Sequence, residues 1–320
     1  MTPIRIGTCS WADEALSKYF YPRGTPPRER LAYYAERFDT VEVDSTFYRL
    51  PSPEMVAGWA DRTPDGFVMH VKAFGLMTRH PTKLEQLPPD LRGDAPVDDK
   101  GRVERPSREL RGEVFDRFRS ALEPLRAEGK LGGILFQLPP YVVRKAASVD
   151  YLTWARERLG GDEMLVEFRH LSWLEEAARA ETLALLEELR ATHVIVDAPR
   201  IEGARNVVPT VVALTSPTAY IRFHGRNAAT WNRRGGSAAE RFDYLYPPEE
   251  LREWVEPLRE VSSGAEQAFA FFNNNSSSPS PRGELDRISQ AAENAYELRR
   301  ILDDAGVPAS GAADPGRSVE

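Results

Sequence analysis

Cysteine is nearly absent: Cys9 is the only one in 320 residues. A single thiol permits neither an intrachain disulfide nor a thiolate zinc cluster, which fits a reducing cytoplasm. The chain does not open on a basic segment followed by an apolar run, so no signal peptide is expected. No apolar run reaches the length of a membrane span, so no membrane partner is expected either. Excess positive charge is missing too, since the formal net charge is −7 at pH 7. That balance disfavours a nonspecific nucleic-acid coat, though it permits a local basic cleft for a nucleic-acid end. Neither G-x-G-x-x-G, H-x-H nor H-E-x-x-H occurs. The remainder, 41% hydrophobic and 28% charged, is ordinary globular composition.

What is present is repetition. Eight short runs rich in β-branched and aromatic residues end in polar residues, Gly or Pro: 4–8, 40–45, 67–73, 133–138, 164–169, 193–197, 220–224 and 269–273. Helical patterns separate most of them, at 28–38, 52–61, 107–128, 174–190, 248–261 and 285–305. Ser52 is placed to be an N-cap with Pro53 at the first helical position, and Gly306 stops the last helix. Between 197 and 220 only 206–214 offers a crossover helix. This alternation predicts an α/β fold, a (β/α)8 TIM barrel spanning residues 1–308. A doubly wound open sheet is the alternative, but it usually carries a glycine-rich phosphate loop after its first strand. The stretch 74–106 reads as an inserted loop after strand 3, either a lid over the mouth or a solvated insertion. Residues 273–283 read as a low-complexity loop and 309–320 as a disordered tail.

Side chains alternate faces along a strand. By parity one face is apolar: Val41, Val43, Met69, Val71, Ile134, Phe136, Val166, Phe168, Val194, Val196, Ile221, Phe223, Ala270 and Phe272. The other carries Glu42, Asp44, His70, Lys72, Gln137, Glu167, Arg169, Asp197, Arg222, His224, Arg226 and Asn273. In a barrel this second set points at the axis, with its later members at the C-terminal rim where catalytic groups gather. An isolated buried ion costs several kcal/mol, so these charges must pair with one another or meet a ligand. They form either a structural ion network or an active site. In the second reading, Glu42 and Glu167 are an acid/base pair or partners of Arg169 and Arg222. His224, between two arginines, is neutral near pH 7 and suits a base, while Asp44 orients water. Lys72, Arg169, Arg222 and Arg226 hold a small anion such as phosphate or carboxylate, with Arg226 reaching furthest into the mouth. Gln137, Asn273, Trp11 and Tyr48 add ligand contacts. Phe47, Tyr141, Trp173 and Trp231 also follow strand ends and either wall a pocket or pack beneath loops. His80 and His193 fall outside the pattern, and Cys9 reads as a small buried residue. The cofactor is not legible. A divalent metal is one candidate, with Glu42, His70, Glu167, Asp197 and His224 as ligands, although nearby cations oppose it.

A series of motifs in order resembles the DUF72 family, also called YecE-like. They include Gly7-Thr-Cys-Ser-Trp11, Val41-Glu-Val-Asp-Ser-Thr-Phe-Tyr48, Leu135-Phe-Gln-Leu-Pro-Pro140, Val166-Glu-Phe-Arg-His170, His224-Gly-Arg226, and Phe271-Phe-Asn-Asn274 with Asn294-Ala295. The resemblance implies a TIM barrel similar to endonuclease IV and sugar-isomerase barrels, which are metal-dependent, and implies no activity of its own. In one departure, Asn275 stands where the family usually has a histidine. Three functions compete: a hydrolase-like enzyme acting on a phosphorylated or other anionic substrate, a metal-dependent hydrolase or isomerase, and a non-catalytic ligand-binding protein. No oligomeric state follows.

Overall fold

The structure is a computed structural model that describes residues 1–233, 238–281, 283 and 287–313. Its frame is eight parallel strands: β1 Ile4–Thr8, β2 Thr40–Val43, β3 Val68–Lys72, β4 Leu131–Gln137, β5 Met164–Glu167, β6 Thr192–Asp197, β7 Thr218–Phe223 and β8 Gln267–Phe272. They pair in the order β1-β8-β7-β6-β5-β4-β3-β2. The ends meet through one parallel bridge, Cys9 to Glu42, where the Ser10 N–H donates to the Glu42 carbonyl at 2.8 Å. The sheet therefore closes into the (β/α)8 TIM barrel that the alternation predicts.

Local sequence explains most helix bounds. Ser52 Oγ accepts from the Met55 N–H, with Pro53 opening the helix Pro53–Ala60. Ser107 caps the helix Arg108–Ala121 in the same way. The expected helix over 107–128 is two, because Pro124 has no N–H to continue the ladder and instead sits in the first turn of Glu123–Ala127. The 248–261 pattern divides likewise into Pro248–Arg252 and Val255–Gly264. A helix that the pattern does not predict, Ala146–Leu159, joins β4 to β5; its buried face includes Ser148 and Ala155, which weaken the apolar stripe. No helix forms over 206–214. Pro209 interrupts that segment and Val207, Val208, Val211 and Val212 are poor helix formers, so the β6–β7 connection is irregular.

Other differences lie at the periphery. Within the expected 273–283 loop, β9 Ser277–Pro279 pairs antiparallel with β10 Arg287–Ser289. The expected tail starts as β11, Ala309–Ser310, which lies parallel on β1, and Ala312 is buried. Residues 314–320 lie outside the described residues. The 74–106 stretch makes two 3-10 turns and two bridges, Lys83 to Arg102 and Val97 to Val103, and buries Phe74, Leu76, Met77, Leu87 and Val103.

One strand reverses the expected parity. On β7, Tyr220 and Arg222 point inward and reach Glu42. Their register partners on β6 are Val194 and Val196, while Asp197 pairs with the outward Phe223. Thus Val194 and Val196 face the axis, and Ile195 and Asp197 face the helices. Three consecutive aliphatic residues, Val194 to Val196, leave no alternation from which to read the direction.

Candidate functional site

Arg222 is the centre of the barrel's interior. Its guanidinium is fully buried and bridges two strands: Nη2 donates to Glu42 Oε1 at 2.7 Å, and Nη1 donates to Glu167 Oε2. Glu42 Oε2 accepts the Tyr220 hydroxyl at 2.8 Å. Glu167 Oε1 accepts from Gln137 Nε2 at 2.8 Å and from Arg169 Nη1 at 3.3 Å. It also lies 3.1 Å from His224 Nε2. Asn273 Nδ2 donates to His224 Nδ1 at 2.8 Å, so the neutral ring carries its proton on Nε2, directed at Glu167. Burial brings His224 down to about 4 despite Glu167 beside it. Burial alone would raise Glu167, but Arg222 and His224 outweigh it and hold the carboxyl well below its usual range. Every carboxylate oxygen of the pair therefore meets a donor, the condition on which buried charges persist.

Two neighbours are closed off. Cys9 Sγ lies 3.5 Å from Arg222 Nη2, and burial pushes its thiol up, which keeps it protonated. His70 is packed among Phe269, Tyr220 and Phe271, with ring centroids 4.4, 4.9 and 5.3 Å away, and neither of its nitrogens has a partner among the described residues. Burial lowers it to about 3. Gly132 on β4 makes room for this ring, since a Cβ there would sit 2.5 Å from it.

Above this layer opens a cleft of about 580 Å³. Asp44, Tyr48, Lys72, Gln137, Arg169 and Asn273 line it from the strand ends, and Phe47, His80, Trp231, Arg233, Arg241, Phe242 and Asn275 complete the wall. Four cations face one carboxylate, in a chain whose net charge is −7. Lys72 Nζ lies 4.7 Å over Phe47, and the Arg169 guanidinium 4.9 Å over Trp231. Neither Lys72 Nζ nor the Asp44 carboxylate has a hydrogen bond or ion pair among the described residues. Burial raises Asp44 to about 6, with Lys72 offsetting only part of the effect. Burial, with Arg222 adding to it, lowers Lys72. Both groups are thus shifted toward neutrality, a pattern that concentrates at functional sites.

The expected site residues divide by depth. Asp44, Tyr48, Lys72, Gln137, Arg169 and Asn273 line the cleft, with Phe47 and Trp231. Glu42, Glu167, Arg222 and His224 lie beneath it, committed to one another. Two charged residues stand elsewhere. Asp197 faces outward and accepts from Trp254 Nε1 and Arg226 Nη2, both at 2.7 Å, and from the Tyr246 hydroxyl at 3.0 Å. Arg226 does not reach into the mouth, because Gly225, at φ +82°, turns the chain after β7. Arg226 instead pairs with Asp197, Glu250 and Glu253. Trp11 packs against Trp59 rather than lining the cleft, Trp173 stacks on Phe168, and the Tyr141 hydroxyl donates to the Arg79 carbonyl. The candidate metal ligands are not assembled: His70 is sealed among rings, Asp197 faces away, and Arg222 occupies the space between Glu42 and Glu167. Among the described residues no three His, Cys, Asp or Glu side chains are grouped to hold a metal ion. His80 escapes a sequence reading because it belongs to the irregular 74–106 stretch, where no periodicity assigns a face. Asn275 Nδ2 donates to the Cys9 carbonyl at 2.9 Å.

Fold and site together define a class: a parallel (β/α)8 barrel whose core is an ion network beneath a cationic mouth. The model of the family described as "Protein of unknown function DUF72" matches residues 5–306, and the chain belongs to that family. It is 31% identical over 305 residues to the UPF0759 protein YunF of Bacillus subtilis (strain 168), across 94% of this chain and 95% of that protein. Among solved structures, it is similar to a DUF72 family protein of Thermotoga maritima MSB8, with 30% identity, a TM-score of 0.71, and 94% and 99% of the two chains covered. A DUF72 family protein of Enterococcus faecalis V583 shows 25% identity and a TM-score of 0.71 over 95% and 98%. No helix among the described residues is long and apolar enough to cross a membrane.

Proposed function

We propose that the mouth cleft binds a small anionic molecule, a phosphate ester or carboxylate, and that Asp44 and Lys72 exchange protons with it. One observation carries this reading: Asp44 and Lys72 face the cleft and have no hydrogen-bond or ion-pair partner among the described residues, whereas the charges beneath them are consumed by one another. Lys72 and Arg169 attract the anion in a half-buried site where salt screens weakly. Asp44, near 6, can give or take a proton close to neutral pH, as general acid–base chemistry requires. Glu167 and His224 act through others, fixing Gln137, Arg169 and Asn273 at the floor. The reading is of hydrolase-like chemistry in a cytoplasmic protein with one buried thiol.

The test is titration calorimetry with inorganic phosphate, followed by a panel of phosphate esters. Lys72→Met is expected to weaken phosphate binding about tenfold, or ~1.4 kcal/mol. Asp44→Asn is expected to bind phosphate and turn over no ester. Equal affinity in wild type and Lys72→Met overturns the anion site. A wild type that binds phosphate but hydrolyses no ester overturns the catalytic half and leaves a binding protein.

A further inference from the structure

Among the described residues one acceptor open to the cleft, on His80, lacks a donor, and it narrows the ligand further. His80 is held over the cleft by its backbone N–H, which donates to the Gly75 carbonyl at 2.9 Å, and by edge contact with Phe47, centroids 4.8 Å apart. The preceding residue, Arg79, sits at φ +66°, a costly conformation for an arginine, and the Tyr141 hydroxyl grips its carbonyl at 2.6 Å. Thr78 Oγ1 lies 2.8 Å from His80 Nδ1 and 3.2 Å from the Gly75 carbonyl. A hydroxyl has one proton. When that proton goes to the carbonyl, Nδ1 carries the ring proton and donates to Oγ1, and Nε2 keeps its lone pair. Lys72 and Arg169 in the same cleft favour this tautomer, since a lone pair turned toward cations is preferred to an N–H. Burial, with Lys72 and Arg169 adding to it, lowers His80 to about 3, so the ring is neutral. Nε2 has no partner among the described residues, and it is not sealed from solvent. Asn275 also lines the cleft, but its Oδ1, unpartnered among the described residues, is sealed from solvent, and its amide nitrogen donates to the Cys9 carbonyl.

Resting on the proposed anion site, we infer that His80 Nε2 takes a hydrogen bond from a hydroxyl group of the ligand, so that the cleft selects a hydroxylated phosphate ester over an unsubstituted one. Phosphate charge meets Lys72 and Arg169, and a hydroxyl meets Nε2, which would stay unpaired against an alkyl phosphate. His80 is therefore a specificity-determining residue.

The probes are glycerol 3-phosphate and propyl phosphate, which have the same carbon count with and without hydroxyls. Wild type is expected to prefer the first by about tenfold or more. His80→Phe should bring the affinity ratio to within roughly twofold of unity, and His80→Gln, which retains an acceptor, should restore part of the preference. Circular dichroism verifies that each variant is folded. Nitrogen-15 NMR of the wild-type imidazole reads the tautomer independently. An Nε2-protonated ring, or a preference unchanged in His80→Phe, overturns the inference. If wild type binds no phosphate compound, the anion reading falls, and the tautomer alone then decides: Nδ1–H supports an open acceptor and Nε2–H removes it.

Discussion

Arg222→Met removes the one cation shared by Glu42 and Glu167. Both carboxylates have side-chain exposures of 0%, so neither can turn to water once the guanidinium is gone. Removing one partner of a buried pair costs about 3–5 kcal/mol. Here two like charges are stranded, and Tyr220, Gln137 and Arg169 only cushion them, so the expected loss at pH 7 is about 5 kcal/mol. A loss of that size reaches the lower end of a domain's whole stability, about 5–15 kcal/mol. The pH dependence distinguishes this from a mere packing defect. In wild type the folded Glu167 pKa is depressed, so its contribution is present above its unfolded value of 4.5 and is lost as pH falls through the folded value. In the variant, burial outweighs the donors that remain on Glu167, which takes up a proton on folding, so the deficit shrinks as pH falls from 7 toward 5. Urea unfolding followed by tryptophan fluorescence at both pH values measures it. A loss below about 1 kcal/mol at pH 7, the scale of an exposed pair, refutes the reasoning, as does a deficit that is the same at pH 5. The triple variant Glu42→Gln/Glu167→Gln/Arg222→Met should recover most of the loss, because no uncompensated charge remains.

Three further outcomes are expected. His70→Leu should raise stability by about 1–3 kcal/mol, because it removes a buried ring with two unpartnered nitrogens. The folded His70 sits near 3 against 6.5 unfolded, so wild-type stability falls as pH drops from 6.5 toward 3; the substitution should flatten that slope by about 1.4 kcal/mol per pH unit in urea unfolding between pH 4.5 and 6. Sulfate keeps one charge state over the range of interest; its affinity should rise as pH falls through about 6, where Asp44 loses its repelling charge, and calorimetry should find this rise absent in Asp44→Asn. Asp197→Ala should cost about 3 kcal/mol or more in urea unfolding, because it leaves Arg226, Trp254 and Tyr246 without their shared acceptor; a loss under about 1 kcal/mol would show that these groups find other partners.

Residues with a strong local signal were legible in the sequence. Glu42, Lys72, Gln137, Glu167, Arg222 and His224 alternate with apolar neighbours on their strands, and all point inward as parity predicts. Asp197 fails the same test because β6 is aliphatic on both faces, and Arg226 fails because one glycine after β7 ends the alternation. Arg222, read as an anion holder, lies too deep to meet a ligand. The metal set fails for a reason that no strand carries alone: the guanidinium of one strand fills the space between carboxylates on two others.

The barrel itself follows from sequence, because hydrophobic periodicity, caps and prolines act over a few residues and repeat eight times. Charges on inner strand positions also follow from it, since the pleat has period 2. Only the tertiary structure decided which of those charges neutralise one another and which stay without an ion-pair partner among the described residues. That division depends on the depth of each residue along the barrel axis and on which strands lie across from each other. It also brought His80 and Asn275, from two irregular segments, over the same cleft. Such contacts join residues far apart in the chain, and no local pattern encodes them.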